Sequence, residues 1–177
     1  LKPNETLRRS LRARTTTHSH KHKTPDDVHT HTHTAEIISK VKGEKELGLP
    51  CRPFSKNNGF LYNLELDGTF YKGFTVEEIN CNKAGIAHGG TLIAFADGIM
   101  GYTAWKKDSF PCLTAKLNAN YVGPAPKGSW VYGFAEITRE TKSILFMKCN
   151  LFIDDKIIFT SDGIFKILRN HGKKDPS

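Results

Sequence analysis

The sequence has no long uninterrupted hydrophobic run. Its most apolar stretch, residues 91–105, is broken by Asp97, Gly98 and Gly101. Because a bilayer-spanning helix needs about 20 predominantly apolar residues, no transmembrane helix and no stable membrane insertion are expected. Hydrophobic residues still make up 38% of the 177 residues and aromatic residues 10%, which excludes a collagen-like or wholly disordered chain and suggests one folded domain.

Cysteine is sparse. The four cysteines are spread along the chain, without a CxxC pair and without a nearby histidine at zinc-binding spacing: Cys51, Cys81, Cys112 and Cys149. The spacing therefore predicts reduced, mostly buried thiols of an intracellular protein, and no metal site. Cys81, next to the motif described below, is a less favoured candidate nucleophile.

The folded part of the chain lacks net charge. The formal charge of +8 comes from residues 1–23, with seven bases and one acid, and from residues 169–177, with three bases and one acid. The remaining 145 residues hold 16 bases and 16 acids. A nucleic-acid-binding function is therefore the weakest hypothesis, because such a domain needs a basic surface.

Large apolar side chains are rare in residues 1–34, which are rich in Arg, Ser, Thr and His. This segment cannot bury enough surface to offset its ordering entropy, so a disordered leader is predicted. Its basic, acid-poor start is typical of an organelle transit peptide, and an ordinary solvated tail fits equally well. A mitochondrial location is expected, or otherwise a cytoplasmic one. The six histidines of the leader are interpreted as part of a low-complexity sequence.

The remaining sequence divides into a short helix and linker at 35–58, a domain at 59–168 and a basic tail at 169–177. Alternating residues on both sides of Asp67-Gly68 predict a β-hairpin. Four more strands are predicted at 113–122, 130–137, 144–153 and 157–167. The long helical segment, 89–105, has almost no polar face, so burial nearly all round is expected. The predicted class is α+β, an antiparallel sheet of five or six strands wrapped around one long central helix.

One segment carries chemistry, the run from Asn82 through His88-Gly89-Gly90 into the long helix. A Gly-Gly step at a helix start lets bare backbone amides and the positive end of the helix dipole approach a ligand oxygen. Asp97 then places a carboxylate in an apolar helix, where burial without a partner or task is costly. Donors for a developing oxyanion and a carboxylate base or nucleophile are what a thioester hydrolase needs.

A single helix cannot bring both groups to one carbonyl. Gly89 and Asp97 are eight residues apart, which is about 12 Å along the axis at about 1.5 Å per residue. If both act on the same carbon, Asp97 must come from a second copy of the chain. The spacing thus predicts a two-fold dimer with paired sites at its interface.

The same residues carry a family resemblance. The pattern Asn82…Gly85…His88-Gly89-Gly90…Asp97, the later run at 113–125 and the Lys-Gly pair at 127–128 resemble the hotdog-fold acyl-CoA thioesterases of the phenylacetate-degradation (PaaI-like) and thioesterase-superfamily-member type. The resemblance covers residues 59–168. It implies the hotdog fold, hydrolysis of an acyl-CoA to a free carboxylic acid and CoA, and no metal or organic cofactor.

The resemblance also implies roles for individual residues. Asp97 would be the general base or nucleophile, and the Gly89 amide would form the oxyanion hole. His88 would orient or polarise the thioester carbonyl, Asn82 would hold the lytic water or the carbonyl, and Thr114 would assist the water. The family implies a homodimer, or a tetramer built as a dimer of dimers, in which Asp97 faces the partner's half of the site.

Substrate contacts outside the reacting centre are predicted at Gly90, Lys127 and Arg139. The two bases could meet CoA phosphates, and each is equally readable as an ordinary solvated side chain. Structural roles stay open elsewhere: His88 and Asn82 could be turn residues, the two glycines could permit a tight loop, and Asp97 could be a structural hydrogen-bond partner. Two other functions also stay open, a non-catalytic acyl-CoA-binding hotdog module and a hotdog enoyl-thioester hydratase or dehydratase.

Overall fold

One antiparallel sheet dominates the fold of the residues that the computed structural model describes, which are 53–168 except 61 and 67. The sheet has six strands within these residues, in the order β1-β2-β4-β5-β6-β3. In chain order the strands are β1 Tyr62–Leu66, β2 Thr69–Thr75, β3 Cys112–Tyr121, β4 Trp130–Glu140, β5 Ile144–Ile153 and β6 Lys156–Ile167. Two α-helices, α1 Pro53–Asn57 and α2 Gly89–Asp108, and a 3₁₀ turn, Glu78–Asn80, complete the described fold.

The strand predictions are confirmed with small changes at the ends. Leu66 pairs with Thr69, so β1 and β2 form the predicted two-residue hairpin. Gly68 has φ +77°, a left-handed conformation that glycine adopts without steric cost. The predicted strand at 144–153 is β5 with the same bounds, whereas β4 runs three residues beyond the predicted end, to Glu140. The predicted α+β hotdog architecture is therefore observed.

Helix α2 is buried along one stripe and is open elsewhere. The buried residues recur every three or four positions and pack on the sheet: Leu92, Phe95, Ala96, Ile99, Met100 and Ala104. Gly98 is exposed and Trp105 is 44% exposed. The prediction of burial nearly all round is therefore wrong for a single chain, because the sheet covers only one side of the helix. The helix also runs three residues further than predicted and ends at Ser109, which has φ 56° and donates its amide to the Trp105 carbonyl at 2.7 Å.

Strand β3 lies at one edge of the sheet and pairs with β6. A β-bulge between Thr114 and Lys116 shifts the register of that pairing. Leu113, which strict alternation would place on the same face as Leu117 and Tyr121, is 59% exposed. The bulge places Thr114 on the helix side instead, because one extra residue inverts the alternation of the strand.

The predictions for the leader (1–34), for a helix near 35–41 and for the basic tail (169–177) lie outside the described residues. Helix α1 falls in the segment predicted as a linker. In the described part of the chain, no helix is long and apolar enough to cross a membrane. Nor do the described residues contain a cluster of three or more His, Cys, Asp or Glu side chains arranged to hold a metal ion.

Candidate active site

A buried asparagine organises the loop before α2. Asn80 is 1% exposed, and its Oδ1 accepts the amide of Glu77 at 2.9 Å while its Nδ2 donates to the Asn58 carbonyl at 3.0 Å. The Asn80 carbonyl accepts the His88 amide at 2.8 Å and the Thr91 hydroxyl at 3.2 Å. Asn80 therefore fixes both ends of the loop that precedes the helix. The sequence analysis missed it, although the Glu-x-x-Asn spacing resembles a capping box.

His88 caps the N-terminus of α2. Its backbone is extended, with φ −61° and ψ 139°, and its Nδ1 accepts the amide of Gly90 at 2.9 Å. The His88 carbonyl accepts the amides of Thr91 at 2.8 Å and Leu92 at 3.4 Å. Because Nδ1 is an acceptor, the neutral imidazole carries its proton on Nε2, where it can still donate to a ligand. The amide of Gly90, a predicted substrate contact, is already engaged by this cap.

The Gly89 amide is the one N–H of the first helical turn without a partner among the described residues, since those of Gly90 and Thr91 are bonded to His88. It lies at the positive end of the helix dipole. An unsatisfied amide in this position is suited to a carbonyl oxygen or an oxyanion of a ligand.

A groove of about 480 Å³ lies beside this amide. Asn82, Gly89 and Tyr121 line it together with mainly apolar residues, Ile86, Ala87, Leu92, Val122, Gly123, Pro124 and Ala125. A larger hollow of about 540 Å³ lies near the other end of α2, between Phe70, Lys106 and Phe134, and has no predicted site residue in its lining. The smaller groove is therefore the candidate site, because it combines an apolar wall with an open donor.

Asn82 forms a turn at the mouth of the groove. Its Oδ1 accepts the Ala84 amide at 2.9 Å, and its carbonyl accepts the Gly85 amide at 3.0 Å. Gly85 has φ +73°, which explains a glycine at this position of the motif. The side-chain NH₂ of Asn82 is the group that it could offer to a ligand.

Asp97 forms a second polar cluster with Thr114. Asp97 is half-buried on α2, and its Oδ1 accepts the Thr114 hydroxyl at 2.7 Å. The bulge in β3 makes this contact possible. Neither residue lines the groove that contains Gly89. Within one chain, the structure therefore pairs Asp97 with Thr114 and Asn82 with Gly89, and the helix separates the two pairs by about 12 Å.

The two candidate phosphate contacts have different positions. The backbone amide of Lys127 donates to the Gly85 carbonyl, in the motif, at 3.0 Å. The Lys127 ammonium group forms an ion pair with Glu78. The hydrogen bond and charge of Lys127 lower the pKa of the Glu78 carboxyl. Arg139 is exposed near the other end of β4, about 30 Å from its first residue at about 3.3 Å per residue. Lys127 is thus near the groove of its own chain and Arg139 is not.

The described cysteines are free thiols, as predicted. Burial raises the pKa of Cys149 to about 12. Burial and the charge of Asp97 raise the pKa of Cys112. The thiol of Cys81 donates to the Glu77 carbonyl at 3.2 Å. Raised pKa values disfavour the thiolate, so Cys112 and Cys149 are structural.

Sequence comparison relates part of this domain to a known family. Residues 84–158, which contain the motif from Gly85 to Asp97, match the thioesterase superfamily. The chain also resembles PA0474 of Pseudomonas aeruginosa, which is named as an esterase, with 27% identity over 94 residues that span 52% of this chain and 70% of the relative.

Solved structures share the hotdog fold of this domain. BH2602 from Bacillus halodurans, determined with CoA, aligns with a TM-score of 0.63 and 17% identity, over 84% of this chain and 97% of its own. PaaI of Escherichia coli, from the phenylacetic acid degradation operon, aligns with a TM-score of 0.62 and 15% identity, over 79% and 94%. At these identities the likeness establishes the fold, and the chemistry rests on the site.

Proposed function

We propose that this protein hydrolyses acyl-CoA thioesters to a free carboxylic acid and CoA. The open Gly89 amide, at the start of α2 and beside an apolar groove, carries the proposal. The match to the thioesterase superfamily and the CoA present in the BH2602 structure support the substrate class. The apolar wall of the groove suits the apolar part of such a substrate. Lys127 lies near the groove and would bind a CoA phosphate, which would then replace Glu78 as the ion-pair partner of Lys127.

The proposed chemistry begins with the thioester carbonyl. Its oxygen accepts the Gly89 amide, so negative charge that develops on this oxygen meets a fixed donor and the helix dipole. Asp97 removes a proton from water as the water oxygen bonds to the carbonyl carbon. The tetrahedral intermediate then collapses, the C–S bond breaks, and the CoA thiolate takes up the proton. In the alternative route, the Asp97 carboxylate attacks the carbon itself, the C–S bond breaks and the CoA thiolate leaves. Water then hydrolyses the resulting anhydride, which regenerates Asp97 and supplies the proton that the thiolate takes up.

The proposed site needs two copies of the chain. The separation of about 12 Å within α2 prevents Gly89 and Asp97 of one chain from reaching the same carbon. The exposed side of α2 and the edge strand β3 provide a surface for a second copy, with Leu113 of β3 59% exposed and Val122, directly after β3, 61% exposed. We therefore propose a two-fold dimer in which Asp97 and Thr114 of one protomer complete the groove of the other, whether or not two dimers assemble into a tetramer.

Thiol release across a panel of acyl-CoA chain lengths tests the proposed function. The Asp97→Asn variant preserves the size of the side chain and removes its charge, so we expect kcat to fall by about two or more orders of magnitude. Thr114→Val is a matched variant, because it keeps the carboxylate and removes the hydroxyl that Asp97 accepts. Its kcat should fall less than that of Asp97→Asn.

Three outcomes would contradict the proposal. Unchanged turnover by Asp97→Asn would remove Asp97 from the chemistry. Tight acyl-CoA binding without turnover would identify a binding module, and hydration of an enoyl-CoA without thiol release would identify a hydratase. After a single turnover in H₂¹⁸O, ¹⁸O on the Asp97 carboxylate would identify nucleophilic attack, because the general-base route breaks no bond to the Asp97 oxygens.

A further inference from the structure

Tyr121, the last residue of β3, contacts Gly89 at the start of α2. Its hydroxyl donates to the Gly89 carbonyl at 3.2 Å. Its Cε1, Cζ and Oη atoms lie 3.0, 3.1 and 3.2 Å from the position that a Cβ atom on Gly89 would occupy. The tyrosine ring therefore fills the space where residue 89 would have a side chain, and it contacts the residue that carries the open amide.

The ring of Tyr121 has a fixed position although it is 56% exposed. It packs edge-on against Phe159 with ring centroids 5.3 Å apart, and Tyr121 and Phe159 are also paired residues of β3 and β6. The next two amides, of Val122 and Gly123, both donate to the Ile158 carbonyl, at 2.9 and 3.0 Å. Strand β6 thus anchors Tyr121 on the backbone and on the ring.

We propose that Tyr121 is a positioning residue for the hydrolysis, an inference that rests on the proposed function: its hydroxyl holds the Gly89 carbonyl and its ring packs against the Gly89 Cα, so that the amide on the other side of this Cα points at the thioester oxygen. Two adjacent glycines at a helix start have more conformational freedom than any other pair of residues. The His88 cap and the Tyr121 hydroxyl bond the N–H and the C=O of one peptide, between Gly89 and Gly90, and the Tyr121 ring limits the movement of the Gly89 Cα. Since a donor acts on the transition state only when it is already aligned, a mobile Gly89 amide would contribute less to the rate.

The Tyr121→Phe variant tests this role, because it keeps the ring and removes the hydrogen bond to Gly89. We expect kcat to fall about three- to tenfold, the effect of one net hydrogen bond that acts in the transition state. KM should change little, and so should the Kd of an acyl-CoA thioether, which lacks the carbonyl that Gly89 would bind. Tyr132→Phe is the matched control, since it also removes a tyrosine-to-carbonyl hydrogen bond, to Asp154 at 2.8 Å, and Tyr132 is not in the groove. Its kcat should equal that of the wild type.

A double-mutant cycle shows whether Tyr121 acts through the Gly89 amide. Alanine and proline at position 89 both place a Cβ atom against the Tyr121 ring, and only proline lacks the N–H. Tyr121→Phe should therefore lower kcat in a Gly89→Ala background and should no longer lower it in a Gly89→Pro background. An equal decrease in both backgrounds would overturn the inference, as would an unchanged kcat in Tyr121→Phe while the wild type hydrolyses acyl-CoA. If the wild type releases no thiol from any acyl-CoA, the proposed function fails and the inference fails with it.

Discussion

At the scale of single residues, the start of α2 distinguishes an open amide from engaged ones. The ring of His88 accepts a hydrogen bond from the amide of Gly90, and its carbonyl accepts hydrogen bonds from the amides of Thr91 and Leu92. The Gly89 amide has no partner among the described residues, and Gly89 lines the groove. One donor, rather than a general glycine-rich loop, is therefore the feature on which the proposed chemistry depends.

Gly89→Pro removes this donor with little disturbance of the backbone. Proline is favoured at the first position of a helix, and His88, with φ −61° and ψ 139°, already has the conformation required before proline. We expect kcat for thioester hydrolysis to fall by about 10²–10³-fold, as for loss of one oxyanion-hole donor. Steady-state kinetics of thiol release measures the effect.

Gly89→Ala provides the control for this prediction. Both variants place a Cβ atom against the Tyr121 ring, and only proline lacks the amide hydrogen. Alanine should therefore lower kcat much less than proline. Equal losses in the two variants would show that crowding against Tyr121, and not the missing donor, reduces the rate.

At the scale of secondary-structure elements, His88 has a structural role that can be separated from a chemical one. Its Nδ1 caps α2, and its Nε2 is the group available to a substrate. The structural reading of His88, as a residue that bonds backbone, is thus observed, and it is compatible with the proposed role in polarising the carbonyl.

Serine and alanine at position 88 separate the two roles. His88→Ser retains a good N-cap acceptor, whereas His88→Ala has none and should lower the free energy of unfolding by about 1 kcal/mol. In urea unfolding, the wild type and His88→Ser should therefore have a higher free energy of unfolding than His88→Ala. If Nε2 polarises the substrate carbonyl, both variants should lose kcat, and a serine variant with full activity would restrict His88 to capping.

The sequence predicted the positions of the strands better than the contacts that each strand makes. Period-two alternation and the Asp67-Gly68 turn signal are local, so β1, β2 and β5 could be predicted within a few residues. The bulge in β3 could not, because its pairing with β6 depends on residues about 50 positions away in the chain. Strict alternation from Leu117 would place Leu113, and not Thr114, on the helix side of the strand.

The candidate site was predictable to a similar extent. The spacing of Asn82, His88, Gly89 and Asp97 located both clusters, and the helix geometry correctly separated them. Asn80 and Tyr121 escaped because their roles depend on contacts with Asn58 and Gly89, which no local pattern reveals. Burial on all sides of α2 was predicted from composition alone, and composition does not show how much of a helix one sheet covers.

At the scale of the whole molecule, one chain contains two separate polar clusters, which are the half-sites of the proposed dimer. The groove with Asn82 and Gly89 is at the start of α2, and Asp97 with Thr114 is two turns further on. The edge strand β3 passes both regions, because Thr114 lies near its beginning and Tyr121 at its end. A two-fold contact along this edge would therefore bring the half-sites of two chains together, which makes the assembly itself part of the proposed mechanism.

Mixing two inactive variants tests this assembly directly. One chain carries Asp97→Asn and the other Gly89→Pro, and the two are unfolded together and refolded, or coexpressed. In a heterodimer with shared sites, one site contains both defects and the other contains none, so random pairing should restore about a quarter of the wild-type activity. If each site belongs to a single chain, every site retains one defect and no activity returns. Each variant refolded alone is the control for refolding. Size-exclusion chromatography of the mixture establishes that dimers have formed.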